Sequence, residues 1–590
     1  MTIKGELPPG EVSPEEIQEA NALVSHSFAE LFKSTLGPLG SKKMITAGAT
    51  QVEADDLVTS NAYSIVRELK YQHPTADILI NAGLTQGERV GDGIATVMTL
   101  LGELVWRGYA LKQLGVHQTI IVNGYAKAVE RAKEVLQELA VPVALQETDD
   151  FLRQVASTAL KKGEYCDEER LVDAIITSIR RISESGSGEL PLEVDDVVIE
   201  AKSGGSVSET SFIEGVMVDR DVLDELPTEM VNAKIALLDF PLEHKEPKVK
   251  GRKELQSGTA ARERSKAGDT LGAVDFHMKI SQAAHLRAFR DVRTRLFNEL
   301  LDAVITSGAT VICCRWGVDD DALDKFRHAG IMLLKRVKLT DLERLEKSTG
   351  AKIVQDVSDL TADTLGSAGH VVQREVGGVK FVFVEDCPYR KSSTIVLRGA
   401  HLRILEGMVG DIKSALHAVA CLFEDPRIVP GGGAAEIACA AALRDYAKSI
   451  PSKEQLAINV FADALESIPT ALAKNCGIDM IDTLTSLRAA HFAGQKNAGI
   501  SGMDKVVKED MVALGIVDPL LVKLHAYVLA ASAAAGMIKI DDLHIAKSEV
   551  SKEAADVESK ISGRTRELIE TERAPPEFAY KGGRLKYTRT

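Results

Sequence analysis

Two glycine-rich turns, one towards each end of the chain, do most to limit what it can fold into. Gly91-Asp92-Gly93 runs straight into a helix-compatible stretch beginning Ile94-Ala95-Thr96, and Pro430-Gly431-Gly432-Gly433 does the same further on. Glycine lets the backbone turn sharply and approach a ligand closely. A helix that starts at such a turn offers unpaired N–H groups and the positive end of its dipole to a phosphate. Asp92, between two glycines, is placed to hold a metal ion on that phosphate. The patterns around the turns are nested. Helix-type sequence dominates to about residue 140, and a mixed stretch follows. Strands and helices then alternate to about residue 370, mixed sequence returns, and helix resumes from Leu405 to about Ala534. That order predicts an α/β outer domain inserted into a middle one, itself inserted into an α-helical base.

A chain of 590 residues is too long for one core, so about two to four domains are expected. The formal charge of −15 argues against nucleic acid as a partner. No run of 18 apolar residues occurs, so no membrane span or membrane partner is expected. The N-terminus carries Glu6, Glu11, Glu15 and Glu16 and lacks the apolar segment of a signal peptide, which fits a cytoplasmic protein. The seven cysteines are scattered without a C-x-x-C pair, and Cys313 adjoins Cys314. They read as buried reduced thiols rather than a zinc site or disulfide framework. His73, His277, His285 and His417 lie at no metal-ligand spacing and read as surface or packing residues. No G-x-x-x-x-G-K-[ST] loop is present.

Finer signals place the elements. Ser13-Pro14-Glu15-Glu16 starts a helix that Leu36-Gly37-Pro38-Leu39-Gly40 stops. Helices are expected at about 60–69, 75–90, 150–185, 321–329 and 340–349, and strands at 194–199, 233–238, 310–314, 331–334, 351–354, 379–384 and 393–397. The segment 246–272 carries Lys248, Lys250, Arg252, Lys253, Arg262, Arg264 and Lys266 and reads as a surface insertion, either simply solvated or a contact for an acidic partner. Residues 1–12 read as disordered and 546–590 as a charged tail.

With both turns placed, the chain resembles the group II chaperonins, the thermosome and TCP-1 family. Lys33-Ser34-Thr35-Leu36-Gly37-Pro38-Leu39-Gly40-Ser41-Lys42-Lys43-Met44-Ile45 is similar to the family's first signature. Residues 58–74 and 86–96 resemble the second and third, with departures, and Val429-Pro430-Gly431-Gly432-Gly433-Ala434 resembles its C-terminal glycine loop. Thr349-Gly350-Ala351-Lys352-Ile353-Val354 and Ser393-Thr394-Ile395-Val396-Leu397-Arg398-Gly399 add to the likeness, which runs from about residue 14 to 545. It implies a multidomain α and α/β chaperonin fold: a mostly helical equatorial domain (1–149 and 405–545), a mixed intermediate domain (150–216 and 371–404), and an α/β apical domain (217–370) with an extended protrusion at 246–299, its helical part at 280–297. It further implies other chaperonin subunits as ring partners, homo- or hetero-oligomeric, unfolded proteins as clients, and ATP with Mg²⁺. In the family pattern Leu36, Gly37, Pro38, Gly40, Gly91, Gly93, Ile94, Ala95, Thr96, Gly399, Gly431, Gly432, Gly433 and Asp518 match nucleotide-binding positions, and Asp92 matches the Mg²⁺ ligand.

The side chains depart from that pattern where hydrolysis is concerned. Ile94 and Ala95 stand where the family has two hydroxyls. A hydrogen bond to a charged oxygen is worth about 1.5–3 kcal/mol. Asn61, in Ser60-Asn61-Ala62, stands where the family has a carboxylate, and an amide cannot act as a carboxylate base. Ser414 falls where a second aspartate positions the attacking water, and Ala400 replaces a glycine. Asp411, about one helical turn from Ser414, is expected to point elsewhere. The resemblance therefore implies a chaperonin subunit with weak or absent ATP hydrolysis. A fully active foldase with a rebuilt site, or a structural subunit that binds clients without nucleotide, is the alternative.

Overall fold

A computed structural model describes residues 14–45, 57–69, 71, 73–144, 149–160, 168–185, 192, 194–204, 210–223, 225–243, 283–376, 378–389, 393–399 and 402–541. The expectations for residues 1–12, for the basic segment 246–272 and for the tail 546–590 lie outside these. The chain forms two units, residues 19–539 and the terminal segments 1–18 with 540–590. The described part of the terminal unit is the acidic start of the Pro14–Lys33 helix, with Glu15 and Glu16 in its first turn, together with residues 540 and 541. The elements below belong to 19–539.

Helices from both ends of the sequence build one core. The Gln118–Leu139 helix buries Ile121, Tyr125, Ala128, Val129, Ala132, Val135, Leu136 and Leu139, a three- and four-residue spacing that puts one apolar face inward. It packs with Ile94–Gln113, Ala434–Lys448, Glu454–Cys476 and Leu520–Ile538. Small residues let these helices close up: a Cβ at Gly102 would meet the Ser25 carbonyl at 2.3 Å, and one at Gly124 would meet Ala457 Cβ at 2.5 Å. The helices Glu454–Cys476 and Leu520–Ile538 are long and apolar enough to cross a membrane by length and composition alone, as core helices often are, and both contribute buried side chains to this core.

A second core surrounds a seven-stranded sheet. Gly215–Val218, Val379–Glu385, Gly366–Val376, Glu229–Leu238, Val311–Cys314 and Met332–Leu334 lie in that order, and Ile353–Val354 also pairs with Glu229–Leu238. The strands linked through helices Ala283–Thr306, Asp320–Ala329 and Leu339–Thr349 run parallel, and the Gly366–Val376 and Val379–Glu385 pair is antiparallel. Parallel strands need such crossovers, and the buried run of Ile235 to Leu238 is what a strand covered on both faces requires. Between the two cores, Ser393–Gly399 pairs with Val197–Ser203 and Ser211–Ile213, beneath helices Asp150–Ala159, Glu168–Ser185 and Leu402–Glu424.

Most expected elements are present within a few residues. The main correction falls in 405–534, read as helix with one interruption. A hairpin of Gly499–Ser501 and Val506–Lys508 stands there, and Val517–Pro519 pairs with Arg427–Pro430. Three-residue strands carry too little alternation to be read against flanking helices. Val194–Asp196 forms a 3₁₀ turn before its strand, and Gly366–Val376 is a strand with no counterpart in the sequence reading. Six cysteines lie in the described residues, all buried and unbridged, and burial pushes the Cys313 thiol up to about 12.

Candidate functional site: a glycine-lined cleft

Segments distant in sequence wall one cleft, and five parts of its wall define its chemistry. The first follows the Pro14–Lys33 helix. Asn475 donates from Nδ2 to the Lys33 and Leu36 carbonyls, both at 2.8 Å, and closes the helix end. Gly37 then turns with φ 78°, where a Cβ would meet Leu472 at 2.7 Å.

The second is the Asp92 turn. Helix Pro74–Val90 ends on Gly91 in the left-handed region, with the Gly91 N–H bonded to the Gln86 and Gly87 carbonyls. Gly93, at φ 77°, precedes helix Ile94–Gln113 and supplies no side-chain cap. Asp92 Oδ1 accepts from the Gly93 N–H at 2.6 Å, and Gln86 Nε2 donates to the Asp92 carbonyl at 2.8 Å. Only glycine fits at 91, because a Cβ there would lie 2.0 Å from His417 Cβ. The third segment repeats the device. Gly432 and Gly433, at φ 60° and 80°, open helix Ala434–Lys448 without a side-chain cap. The unexpected hairpin fixes this turn, with the Ile500 N–H donating to the Gly432 carbonyl at 2.9 Å.

The fourth segment carries charge. Asp518 borders the cleft, and Lys523 Nζ lies 3.1 Å from it and 2.6 Å from the fully buried Glu436. Burial works against the Lys523 ammonium, yet the two carboxylates more than offset it and hold its pKa above the ordinary lysine value.

The fifth joins residues 350 apart. Asn61 caps helix Ala62–Glu68, its Oδ1 accepting from the Ser64 N–H at 3.0 Å. That fixes its amide group so that Nδ2 donates to Asp411 Oδ1 at 3.0 Å and to Ser414 Oγ at 3.3 Å. Asp411 and Ser414 both sit on helix Leu402–Glu424, and both border the cleft. The expectation that Asp411 points elsewhere is therefore corrected. Residues three apart on a helix share a face.

Of the residues singled out in the sequence, Leu36, Gly37, Pro38, Asn61, Gly91, Asp92, Gly93, Ile94, Ala95, Thr96, Ser414, Gly432, Gly433 and Asp518 border this one cleft. Gly40, Gly399 and Gly431 stand outside its wall. Gly40 folds back against the Thr35 carbonyl, Gly399 ends a strand against Leu405, and the Gly431 N–H bonds the Ile516 carbonyl at 2.9 Å. The sequence reading missed Lys523, Ile500, Met503 and Thr158, which also border the cleft. Only Lys523 left a signal there, a cation five residues after Asp518 at the start of a helix.

The donor set suits a nucleoside triphosphate with a divalent cation. Two helices start at the cleft on glycines without a side-chain cap; Ile94, Ala95 and Thr96 at the start of the first border the cleft, while the Ala434 N–H at the start of the second bonds the Gly431 carbonyl at 3.1 Å. Asp92 is the carboxylate placed to hold the cation, while Ile500, Met503 and Ile516 supply apolar surface. Ile94 is buried within the helical core, so the cleft has an aliphatic edge there. Another group, His26 with Glu30 and Glu103, brings metal-type ligands together, but Lys33 Nζ already bridges its two carboxylates at 2.6 and 2.5 Å.

Comparison with known proteins gives a consistent picture. The model of the TCP-1/cpn60 chaperonin family matches residues 28–271 and 268–548. Thermosome subunit beta of Archaeoglobus fulgidus is 36% identical over 535 residues, 90% of this chain and 92% of that one. A thermosome subunit of Methanopyrus kandleri is 35% identical over 539 residues, 91% of this chain and 93% of that one. Among solved structures, the open-state monomer of a group II chaperonin from Methanococcoides burtonii aligns with a TM-score of 0.55 and 32% identity, covering 76% of this chain and all of that one.

Proposed function

Since the chain belongs to the TCP-1/cpn60 chaperonin family, we propose that it is a subunit of a double-ring group II chaperonin, one that binds unfolded protein and assists its folding in an ATP-dependent cycle with weakened hydrolysis of its own. The cleft carries the reading. Its two glycine-led helix starts and Asp92 form a phosphate and cation site, while Asn61 and Ser414 occupy the hydrolytic positions. Leu36, Gly37, Pro38, Gly93, Thr96 and Gly432 hold the nucleotide, largely through the backbone. Asp92 would hold Mg²⁺, which would supply positive charge against the phosphates.

The helical core that draws on both chain ends serves as the equatorial base, the seven-stranded sheet as the apical domain, and the layer between them as the hinge-like intermediate domain. The protein works in the cytoplasm among other subunits of its kind. A subunit with slow turnover fits a mixed ring, where faster neighbours drive closure and this one adds contacts and a client surface. Head-to-tail interfaces that close by rotation suit such an assembly.

Nucleotide affinity and steady-state phosphate release, measured in parallel on the purified protein, test this. Magnesium-dependent ATP binding with release at least tenfold below that of a thermosome subunit assayed beside it is expected. Absence of ATP binding, or release equal to the comparison subunit, would overturn it.

A further inference from the structure

Asp411 is a carboxylate that the resemblance assigned no role, yet it borders the cleft that holds Asp92 and Thr96. Only 4% of it is exposed. We propose that Asp411 is the catalytic carboxylate of this chain: it receives the proton of the attacking water and, with Asn61, does from one helical turn away what the family pattern implies for a carboxylate at position 414. This rests on the reading of the cleft as a site for ATP with magnesium.

Three features support it. First, Asn61 is locked by its capping role, so its Nδ2 can only donate, and it donates to Asp411 Oδ1 at 3.0 Å. An acid at 61 would instead oppose a carboxylate at 411. The two residues therefore form a matched pair, the amide orienting the acid. Second, the helix carrying Asp411 is pressed against this corner. A Cβ at Gly410 would sit 2.7 Å from Ser64 Oγ and 3.1 Å from Asn61 Cγ, and one at Gly91 would collide with His417. Gly410 and Gly91 permit the close approach on either side of Asp411 and Ser414. Third, Ser414 and Asp411 share one helix face, so the same Asn61 amide touches both. Moving the acid by three residues shifts its origin by about 4.5 Å along the helix.

The chemistry balances with the groups named. The water oxygen bonds to the γ-phosphorus, and the bond to the bridging oxygen breaks with its electron pair leaving on ADP. The water proton passes to the Asp411 carboxylate, which returns it to solvent. A side chain bonded to Asn61 and displaced by a turn aligns water less well than one at 414, so turnover is expected to be slow rather than zero. Positioning of that water is worth powers of ten in phosphoryl transfer.

The test compares the unaltered protein with Asp411→Asn and with the double variant Asp411→Asn plus Ser414→Asp, which puts the acid at the position the family pattern implies. Phosphate release, calorimetric affinity for ATP with magnesium, and the thermal unfolding midpoint are measured on each. Asp411→Asn should lower release at least 100-fold with ATP affinity changed less than threefold, and the double variant should restore release to the unaltered level or above. Retention of more than a third of the release by Asp411→Asn would overturn the proposal, as would an unaltered protein that binds ATP and releases no phosphate. If Asp411→Asn unfolds, the double variant decides: folded and active supports the proposal, folded and inactive refutes it. Failure of the unaltered protein to bind ATP at all refutes the reading of the cleft instead.

Discussion

Replacing Asn61 by aspartate exposes the charge balance of the cleft. Asn61 and Asp411 are 5% and 4% exposed, and their side chains meet at 3.0 Å. Aspartate is nearly isosteric with asparagine and caps a helix as well, so the helix Ala62–Glu68 keeps its start. The change removes the donor that Asp411 uses and puts a second carboxylate in its place. Two unit charges about 4 Å apart interact by about 4 kcal/mol at an effective dielectric of 20. Water and local relaxation reduce this, leaving a cost of about 1–3 kcal/mol near pH 8. The cost depends on pH. Like-charge repulsion raises the titration point of one carboxyl of the folded variant above its unfolded value, so the folded state binds the extra proton. Stability then falls as pH rises through that range. Urea unfolding of Asn61→Asp against the unaltered protein should show a small deficit at pH 5 and a larger one at pH 8. Adding Asp411→Asn should remove most of the pH 8 deficit, a coupling that distant sites do not show. An equal deficit at both pH values, or no gain in the double variant, would refute the reasoning.

Two further changes probe the same base. Ile94→Thr restores a hydroxyl at the cleft but removes a side chain that is 3% exposed and belongs to the helical core; unfolding should show a loss of about 1–2 kcal/mol, while calorimetry should show ATP bound about 10–100-fold more tightly, as one charged hydrogen bond implies. Glu103, 3% exposed, takes a different test. Burial alone would raise its carboxyl, but hydrogen bonds and charge from Lys33 and Arg107 outweigh it and hold it below the usual glutamate value. Its contribution is therefore present above the ordinary glutamate pKa and is lost as pH falls below it. Glu103→Gln should cost about 3 kcal/mol at pH 7, and its stability should change less between pH 5 and 3 than that of the unaltered protein.

The parts of the cleft legible in sequence were those whose chemistry is local. A glycine turn before a helix announces itself in a few adjacent residues, and Gly91-Asp92-Gly93 and Gly431-Gly432-Gly433 sit where that reading put them, except that Gly431 stands just outside the wall. The nested order of helical and α/β sequence was visible too, since each block repeats its period many times. What stayed hidden depended on distance. Asp411 was misread because rise along a helix was counted without rotation, and its partner Asn61 lies 350 residues away. The Gly499–Ser501 hairpin is too short to carry a period, yet its Ile500 N–H anchors the Gly432 turn. Lys523 is one cation among 71 lysines and arginines until folding buries it beside Glu436.

The cleft also has a schedule. Its walls come from residues 35–38, 60–63, 91–96, 158–159 and then from 411 onwards, ending at Ala526. A ribosome adding about 5–20 residues per second takes about 20–90 s to travel from Gly93 to Lys523. During that interval the early helices have been made, but the Glu454–Cys476 and Leu520–Ile538 partners that cover Val97, Leu101 and Tyr125 have not. The early helices thus keep an uncovered apolar surface for most of that interval, until the Leu520–Ile538 helix emerges to close it.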